Sequence, residues 1–408
     1  MRWRTCLARG LASLRSGDWL DRGRIRGYGA VLLAVEVSLL IFFIAGTHGL
    51  IVPLEQPTTT DFVSFYAAGD LADGGTPALA YDQPTHLAAE ERATAAGIKY
   101  QYFYYPPIFM LVCAVFSRLP YLVAFVLFEA VTLLPCLLVA RRVVGEAGPG
   151  VLLILLGFPS VFWTLGLGQN AFLTAALFGG ATLLIDRRPD AAGLLFGALC
   201  YKPHIGLLIP LALAAGGHWR AFAAATATAV LLALVSVLAF GWETWRDFLV
   251  TATTMHGTYE SGRIDFAGFV SPFGGVRLLG GSPPLAYAAQ GAATLASAAL
   301  VGWVWYRRLG LPVRAATLAA ATLTAIPVVL VYDFLIGAIA IAWLVRAGRE
   351  AGFIAWEKTA LAAIFLVPLL ARDIAADWHV PLAPIGAAAL VVLAAACAWR
   401  ETMRLERA

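Results

Sequence analysis

An aspartate among aromatic residues, Asp61, is the first residue of this sequence that could carry chemistry. It lies in the stretch Thr58-Thr-Thr-Asp61-Phe-Val-Ser-Phe-Tyr66, shortly after a long apolar run. Aromatic neighbours partly remove a carboxylate from water, which raises its pKa towards the range of a useful general base. An aspartate is also well suited to cap a following helix. The sequence therefore offers two interpretations of Asp61, a general base or a helix cap.

A lysine inside an apolar run, Lys202, is the second candidate. It stands in segment 191–215, directly before Pro203 and His204. A lysine at membrane depth costs about 2.5–3.5 kcal/mol on insertion scales, so it usually faces a partner or a cavity. An anion such as a phosphate head group is the natural partner. The structural alternative is a lysine whose ammonium group extends to the membrane interface.

Other polar and aromatic positions interrupt the apolar runs. Gln169 and Asn170 place amide donors and acceptors in a turn between two runs. Tyr105 closes an aromatic stretch that enters an apolar segment, and Asp333 stands between two apolar segments. Each position also has a structural interpretation, as a hairpin turn, an aromatic belt at the interface or a loop end.

The elements that must position these residues are membrane helices. The chain has 408 residues, of which 60% are apolar and 13% are charged, whereas a soluble domain is about 25% charged. Apolar runs lie between short clusters of charge, and several reach the roughly 20 residues that cross a bilayer. The composition predicts an all-α polytopic membrane protein of about 10–12 transmembrane helices. The small net charge of +4 does not suggest a nucleic-acid partner.

Arginine clusters predict the orientation of the chain. Residues 1–28 contain seven arginines and are predicted to form a cytoplasmic tail, as are residues 400–408. Residues 29–399 are predicted to form one membrane-embedded domain. The remaining basic clusters can all face the cytoplasm if the weak segments 106–117 and 191–201 dip into the membrane without crossing it.

This topology places two long loops outside, residues 53–105 and residues 241–283. The first loop is predicted to contain two short helices. One runs from Asp61 to Ala72. The other runs from about Asp82 to Ala96, with Asp82 as its cap, and has an amphipathic pattern.

A series of short motifs follows one order along the chain. They are Asp61-Phe-Val-Ser-Phe-Tyr66-Ala-Ala-Gly69, Gly75-Thr-Pro77, Ala80-Tyr81-Asp82, Tyr105-Pro-Pro107, Leu119-Pro120 with Ala124-Phe125, Gly168-Gln-Asn170, and Tyr201-Lys-Pro203 with Trp219-Arg220. In this order the motifs resemble glycosyltransferase family 87, the polyprenol-phosphate-mannose-dependent α-mannosyltransferases of the membrane-embedded GT-C class. The resemblance covers roughly residues 29–345. The late histidine motif of many members is replaced here by Ile326-Pro-Val-Val-Leu-Val-Tyr332-Asp333.

The resemblance implies a GT-C-type bundle with short exterior amphipathic helices and an exterior active site. Asp61 matches the acidic residue that deprotonates the acceptor hydroxyl. Lys202 is the candidate for binding the donor phosphate, assisted by His204. The further candidates for substrate binding are Tyr66, Tyr105, Gln169, Asn170 and Asp333.

The resemblance also implies the partners. The donor is a polyprenyl-phosphate sugar, with mannose expected, and the acceptor is a lipid or glycan. The protein is expected in a cell membrane among membrane lipids, in a bacterial inner membrane with its site on the periplasmic side. A lipid phosphate is already a good leaving group, so no metal or other cofactor is demanded.

Two other functions are compatible with the residues. A secondary transporter would explain the intramembrane Lys202 and the break at Pro203. Against it, the two halves of the sequence show no convincing repeat, and intramembrane charges are few. A scaffold or lipid-binding subunit is the other alternative, and it predicts that Asp61 can be replaced without loss of function.

Overall fold

The computed structural model describes residues 2–46, 60–145, 149–260 and 264–407, and their regular structure is helical. The predicted all-α fold is therefore confirmed. Residues 53–59 of the first predicted exterior loop lie outside the described residues. The α-helices are α1 (Arg2–Ser16), α2 (Arg22–Gly46), α3 (Phe62–Asp73), α4 (Gln83–Ala93), α5 (Pro107–Phe116), α6 (Tyr121–Val144), α7 (Pro149–Leu156), α8 (Pro159–Leu167), α9 (Ala171–Leu184), α10 (Pro189–Ala198), α11 (Ile209–Ala215), α12 (Trp219–Glu260), α13 (Pro272–Leu278), α14 (Pro283–Tyr306), α15 (Leu311–Ala325), α16 (Leu335–Ala351), α17 (Glu357–Trp378) and α18 (Leu382–Leu405).

Six helices of the described residues are long and apolar enough to cross a membrane. They are Arg22–Phe42, Tyr121–Val144, Trp219–Thr254, Pro283–Tyr306, Glu357–Trp378 and Leu382–Leu405. Helices α7 and α8 meet at 54° and together form a seventh candidate. The shorter apolar helices are Pro107–Phe116, Ala171–Leu184, Pro203–Ala215 and Leu311–Ala325. The predicted total of about 10–12 crossings would require shorter helices to cross as well, and it stays a prediction.

One end of the bundle is rich in arginine, and side-chain contacts tie its helix ends together. Arg349 donates to the carbonyl of Val144 at the end of α6 (3.2 Å). Arg404 near the end of α18 donates to the carbonyl of Ala351 at the end of α16 (2.9 Å). Arg314 at the start of α15 binds both oxygens of Asp186, which follows α9 (2.9 and 2.7 Å). We call this end the basic end.

The opposite ends of the same helices carry the candidate residues. The backbone amide of Asp61 donates to the carbonyl of Leu167 at the end of α8 (2.6 Å). Thr60 hydrogen-bonds Tyr121 at the start of α6 (3.2 Å). Asn170 precedes α9 at the end remote from Asp186. We call this the site end, and the bundle thus separates the candidate residues from the arginine clusters.

The segment from α10 to α11 enters the bundle and returns to the basic end. Asp190 in its first turn accepts a hydrogen bond from Arg220, just after the segment ends (3.2 Å). Between these points, Lys202 reaches Asn170 at the site end (3.3 Å). Pro203 interrupts the helical hydrogen bonding near the turning point. The segment therefore begins and ends at the basic end, and the absence of a crossing by residues 191–201 stays a prediction.

Helix α5 begins at the site end. It follows Tyr105, which contacts Gln169 (3.4 Å). After α5, the Arg118 guanidinium pairs with Asp73 at the end of α3 (2.9 Å), and the carbonyl of Leu119 accepts from the Tyr66 hydroxyl (2.9 Å). Segment 106–117 therefore packs along α3, with Phe109 against Phe65 and Arg118 at Asp73, and its non-crossing of the membrane stays a prediction.

The two helices predicted in the first exterior loop are present. Helix α3 has Asp61 at its N-cap position, and helix α4 is capped by the Asp82 side chain, which accepts from the Thr85 amide (3.2 Å). Helix α4 is more deeply buried than its amphipathic pattern predicts. Its His86 and Glu90 are fully buried, and His86 Nε2 lies 3.2 Å from the Ser64 carbonyl oxygen of α3. Helix α4 thus packs behind the helix that follows Asp61.

The second predicted exterior loop contains more helix than expected. Helix α12 continues to Glu260 and is broken at Gly241, whose φ of 80° and ψ of 162° are not helical. A glycine tolerates this backbone conformation because it lacks a Cβ atom. Residues 242–260 are therefore helical, and the chain returns through α13 before α14 begins.

Candidate functional site

Asp61 stands at the first turn of α3 but does not use its side chain to cap that helix. Its φ of −61° and ψ of −17° are helical, and the carboxylate makes no capping hydrogen bond. Oδ2 instead accepts a hydrogen bond from Gln169 Nε2 at 2.8 Å. The carboxylate is therefore bound to a residue of another element and not to the helix that it precedes.

The environment of Asp61 favours its protonated form more than water does. Burial raises the pKa of the Asp61 carboxyl above its usual value, while the hydrogen bond from Gln169 and the positive charge of Arg372 act in the opposite direction. A carboxylate with a raised pKa is a stronger proton acceptor when it is ionised. Asp61 therefore has the electrostatic character of a general base.

Gln169 is aimed at Asp61 by the tight turn between α8 and α9. Gly168 ends α8 in the left-handed region, with φ 68° and ψ 41°. A Cβ atom on Gly168 would lie 2.7 Å from Phe62 Cβ and 2.9 Å from Phe125 Cε2. Glycine is therefore required here both by the backbone conformation and by the close approach of α3. The backbone amide of Gln169 also donates to the carbonyl of Thr164 (3.0 Å).

Tyr105 extends this hydrogen-bond chain. Its hydroxyl lies 3.4 Å from Gln169 Oε1, to which it donates. Its ring packs on Phe65 and Phe109, with ring centroids 5.3 and 4.7 Å away. Because the amide oxygen of Gln169 is occupied by Tyr105, its nitrogen is directed at Asp61. The chain Tyr105–Gln169–Asp61 thus orients the carboxylate.

Lys202 and Asp333 form a buried ion pair beside this chain. Lys202 Nζ lies 2.6 Å from Asp333 Oδ1 and 3.3 Å from Asn170 Oδ1. The two side chains are only 4% and 3% exposed. The Tyr332 ring also faces the ammonium group at 5.3 Å. The lysine at membrane depth is therefore fully compensated within the protein.

Asp333 is held by a non-helical segment that joins α15 to α16. An antiparallel bridge pairs Leu330 with Phe269, and the Ser160 hydroxyl donates to the carbonyl of Val331 (3.0 Å). The Asp333 Oδ2 atom also faces the Leu330 amide (3.4 Å). The segment between two apolar runs is thus an anchored part of the site.

The structure does not bring every predicted residue into this cluster. The Tyr66 hydroxyl donates to the carbonyl of Leu119 (2.9 Å), and its ring packs on Tyr121. The His204 side chain is exposed, and its imidazole makes no hydrogen bond with the described residues. Tyr105, Gln169, Asn170, Lys202 and Asp333 form the contacts described above.

Arg372 also lies at the site end. The sequence did not indicate it as a site residue. It lies in the last part of α17, where its guanidinium stacks over the Trp163 ring at 5.5 Å. Its charge acts on Asp61. The signal in the sequence was the same as for Asp333, a charge at the edge of an apolar run.

Comparison with known families assigns this chain to a family. The model of glycosyltransferase family 87 matches residues 103–332, more than half of the chain. No curated protein and no solved structure matches the chain significantly. The matched residues include Tyr105, Gln169, Asn170 and Lys202, whereas Asp61 precedes them. The family assignment decides between the transferase and the transporter interpretations: the chain belongs to glycosyltransferase family 87 and is a multi-pass membrane glycosyltransferase.

Proposed function

We propose that this protein transfers a sugar, expected to be mannose, from a polyprenyl-phosphate donor to a hydroxyl group of a lipid or glycan acceptor. The observation that carries the proposal is the Asp61 carboxylate. It lies at the end of the bundle opposite the arginine clusters, bound by Gln169 at 2.8 Å and not used as a helix cap. By the positive-inside rule the basic end faces the cytoplasm, so the proposed active site faces the exterior.

The proposed reaction is a single displacement with inversion. Asp61 accepts the proton of the acceptor hydroxyl, and the acceptor oxygen forms a bond to the anomeric carbon. The bond from that carbon to the phosphate oxygen breaks, and its electron pair leaves with the polyprenyl phosphate. Inversion of a β-linked donor produces an α-linked product. The resemblance supports mannose and a polyprenyl carrier, and the raised pKa of Asp61 supports the base.

The other predicted residues orient the base or surround Lys202 in this scheme. Tyr105 and Gln169 orient the base through the hydrogen-bond chain. Asn170 and Asp333 surround Lys202 at the inner side of the cluster. Contact of Lys202 and His204 with the donor phosphate, and of Tyr66 with substrate, stays a prediction. The lipid donor is expected to enter sideways from the outer leaflet, between the exterior loops and the membrane helices.

Sugar transfer in proteoliposomes tests the proposal. The donor is polyprenyl-phosphate mannose, the acceptors are extracted membrane glycolipids, and wild type is compared with Asp61→Asn. We expect a loss of roughly a hundred- to ten-thousandfold in turnover, the usual contribution of a general base, with donor binding retained. The matched control is Asp70→Asn, an exposed carboxylate on the same helix that pairs with Arg92.

Two results would contradict the proposal. Full activity of Asp61→Asn would show that the carboxylate is not the base, and Asp333 would be the next carboxylate to replace. Equal use of a nucleotide sugar by the purified protein would contradict the donor class.

A further inference from the structure

Arg372 at the site end is an accessible cation with unused hydrogen-bond donors. Among the described residues its carboxylate partner is Asp265, whose Oδ2 lies 3.7 Å from a guanidinium nitrogen, which is too far for a hydrogen bond. The side chain is 46% exposed. Arg372 makes no side-chain hydrogen bond with the described residues. Its planar fork of N–H groups is therefore open to another anion.

The position of Arg372 is nevertheless well defined. The guanidinium stacks on Trp163 at 5.5 Å, and the Trp163 indole Nε1 donates to the carbonyl of Pro368, one turn earlier in α17 (2.8 Å). Trp163 lies on α8, the helix that ends at Gly168 and leads directly to Gln169. The same helix therefore positions the partner of Asp61 and the platform of Arg372.

Two other cations of this end, Lys202 and Arg118, are already paired with carboxylates. Lys202 is buried and lies 2.6 Å from Asp333. Arg118 makes three contacts with the two oxygens of Asp73, at 2.9–3.3 Å. An incoming phosphate would have to break these pairs, whereas at Arg372 it would meet donors that make no hydrogen bond with the described part of the chain.

We propose that Arg372, supported by the Trp163 ring, binds the phosphate of the lipid-linked donor, and that the phosphate displaces Asp265 from the guanidinium. This inference rests on the proposed function and adds to it a residue that the sequence did not single out. Guanidinium binds phosphate through two parallel hydrogen bonds, which fixes its orientation as well as its position. The same contacts would stabilise the charge that grows on the phosphate as the sugar leaves.

The two carboxylate oxygens of Asp265 have separate partners. Its Oδ1 atom accepts from the Ala267 amide at 2.9 Å, which holds the carboxylate in place whether or not Arg372 is near. Only Oδ2 faces Arg372. A phosphate can therefore replace Asp265 at the guanidinium without disturbing the turn that begins at Asp265.

Steady-state kinetics and binding of the full-length protein in proteoliposomes test the proposal. For Arg372→Gln we expect the donor KM and the inhibition constant of polyprenyl phosphate to rise roughly ten- to a hundredfold, the loss of charge-assisted hydrogen bonds. The acceptor KM should not change. Arg372→Lys should fall between wild type and Arg372→Gln, because it keeps the charge but loses the fork. Asp265→Asn should lower the donor KM, because the competing charge is removed while the cap can remain.

The matched control is Arg277→Gln, which removes the same charge from an arginine that also stacks on an aromatic ring of this end, Phe266 (5.3 Å). Arg277 is held by the carbonyls of Gly281 and Glu260 (2.8 and 3.3 Å). An equal rise of the donor KM in both variants would show a general effect of charge and would overturn the proposal.

Direct binding of polyprenyl phosphate, followed by tryptophan fluorescence, separates this inference from the proposed function. If wild type transfers sugar but Arg372→Gln keeps the wild-type donor KM and polyprenyl-phosphate affinity, the role of Arg372 is overturned and the proposed function stands. If wild type transfers no sugar but binds polyprenyl phosphate through Arg372, the inference stands and the proposed reaction fails. If wild type does not bind polyprenyl phosphate, both fail.

Discussion

Asp61 accepts its one described side-chain hydrogen bond from Gln169, and this contact decides how the carboxylate behaves. Burial raises the pKa of Asp61, and the donor from Gln169 lowers it, because the hydrogen bond stabilises the charged form. A base must be ionised to act. Its activity is therefore present above its pKa in the folded protein and is lost as the pH falls through that value.

The substitution Gln169→Leu should move this pH dependence. Without the amide donor, the pKa of Asp61 rises further, so the acidic limb of kcat/KM against pH should shift to higher pH. The measurement is the pH profile of sugar transfer by wild type and variant. An unchanged acidic limb would mean that another group titrates in the reaction. Gln290→Leu, a buried glutamine that bonds Thr324 and Thr294, serves as the control for loss of a buried amide.

The Lys202–Asp333 pair should matter for stability. A charge left alone in a buried site is costly, and breaking a buried pair typically costs about 3–5 kcal/mol. We therefore expect Lys202→Met and Asp333→Asn each to lower the thermal unfolding midpoint in detergent clearly. The double variant should lose less than the sum of the two, because it leaves no uncompensated charge.

Additive losses in the double variant would show that the two side chains do not act as a pair. The surface pair of Arg346 and Glu350 on α16, at 2.9 Å, provides a comparison. Exposed pairs of this kind contribute about 0–1 kcal/mol, so the same pair of substitutions there should have little effect.

At the scale of elements, the turn between α8 and α9 links the base to the bundle. Gly168 allows α3 to approach so closely that the backbone amide of Asp61 reaches the carbonyl of Leu167 (2.6 Å). The adjacent residues Gln169 and Asn170 then contact different groups. Gln169 binds Asp61, and Asn170 accepts from Lys202. One short turn therefore couples the carboxylate to the buried ion pair.

Gly168→Ala should impair transfer more than a comparable change elsewhere. The new Cβ atom would lie 2.7 Å from Phe62 Cβ, in a backbone conformation that alanine disfavours. We expect displacement of α3 and a fall in kcat with the protein still folded. The matched control is Gly145→Ala, which has a similar φ of 75° but no atom within 4 Å of its Cβ position.

Both substitutions carry strain from the left-handed backbone, and Gly168→Ala adds the contact with Phe62, so thermal unfolding should report a modest loss for Gly145→Ala and a larger one for Gly168→Ala. Only Gly168→Ala should lose activity beyond its loss of stability. Equal activity in the two variants would show that the close approach of α3 does not position Asp61.

At the scale of the whole molecule, the bundle keeps its arginine clusters and its candidate site at opposite ends. This separation predicts opposite accessibility for two exposed positions, Ala95 after α4 and Arg187 after α9. In a background with Cys6→Ser and Cys200→Ser, Ala95→Cys should react with a membrane-impermeant maleimide in right-side-out vesicles. Arg187→Cys should react only after the vesicles are permeabilised, because basic clusters prefer the cytoplasm.

Labelling of both cysteines in sealed vesicles would place the two ends on the same side and would contradict the predicted topology. Reversed labelling would place the site in the cytoplasm, and the donor would then have to come from the inner leaflet.

The membrane class, the helical fold and the separation of charges follow from the sequence alone. The length of an apolar run and the charges at its ends are local properties, and they suffice to predict a membrane helix and its orientation. The helices after Asp61 and Asp82 are also local, because a cap and a short pattern specify them. The types and settings of Asp61 and Lys202 singled these residues out, and the resemblance of ordered motifs assigned roles to them.

The partners of these residues were decided only by the tertiary structure. Gln169 lies 108 residues from Asp61, and Asp333 lies 131 residues from Lys202. No local pattern relates such distant positions, since their contact depends on how several helices pack and where segment 191–215 turns. The same holds for Arg372, whose position on Trp163 comes from the packing of α17 against α8. The sequence by itself thus determined the membrane class and the helical fold and indicated candidate residues such as Asp61 and Lys202, whereas helix packing decided which residues meet.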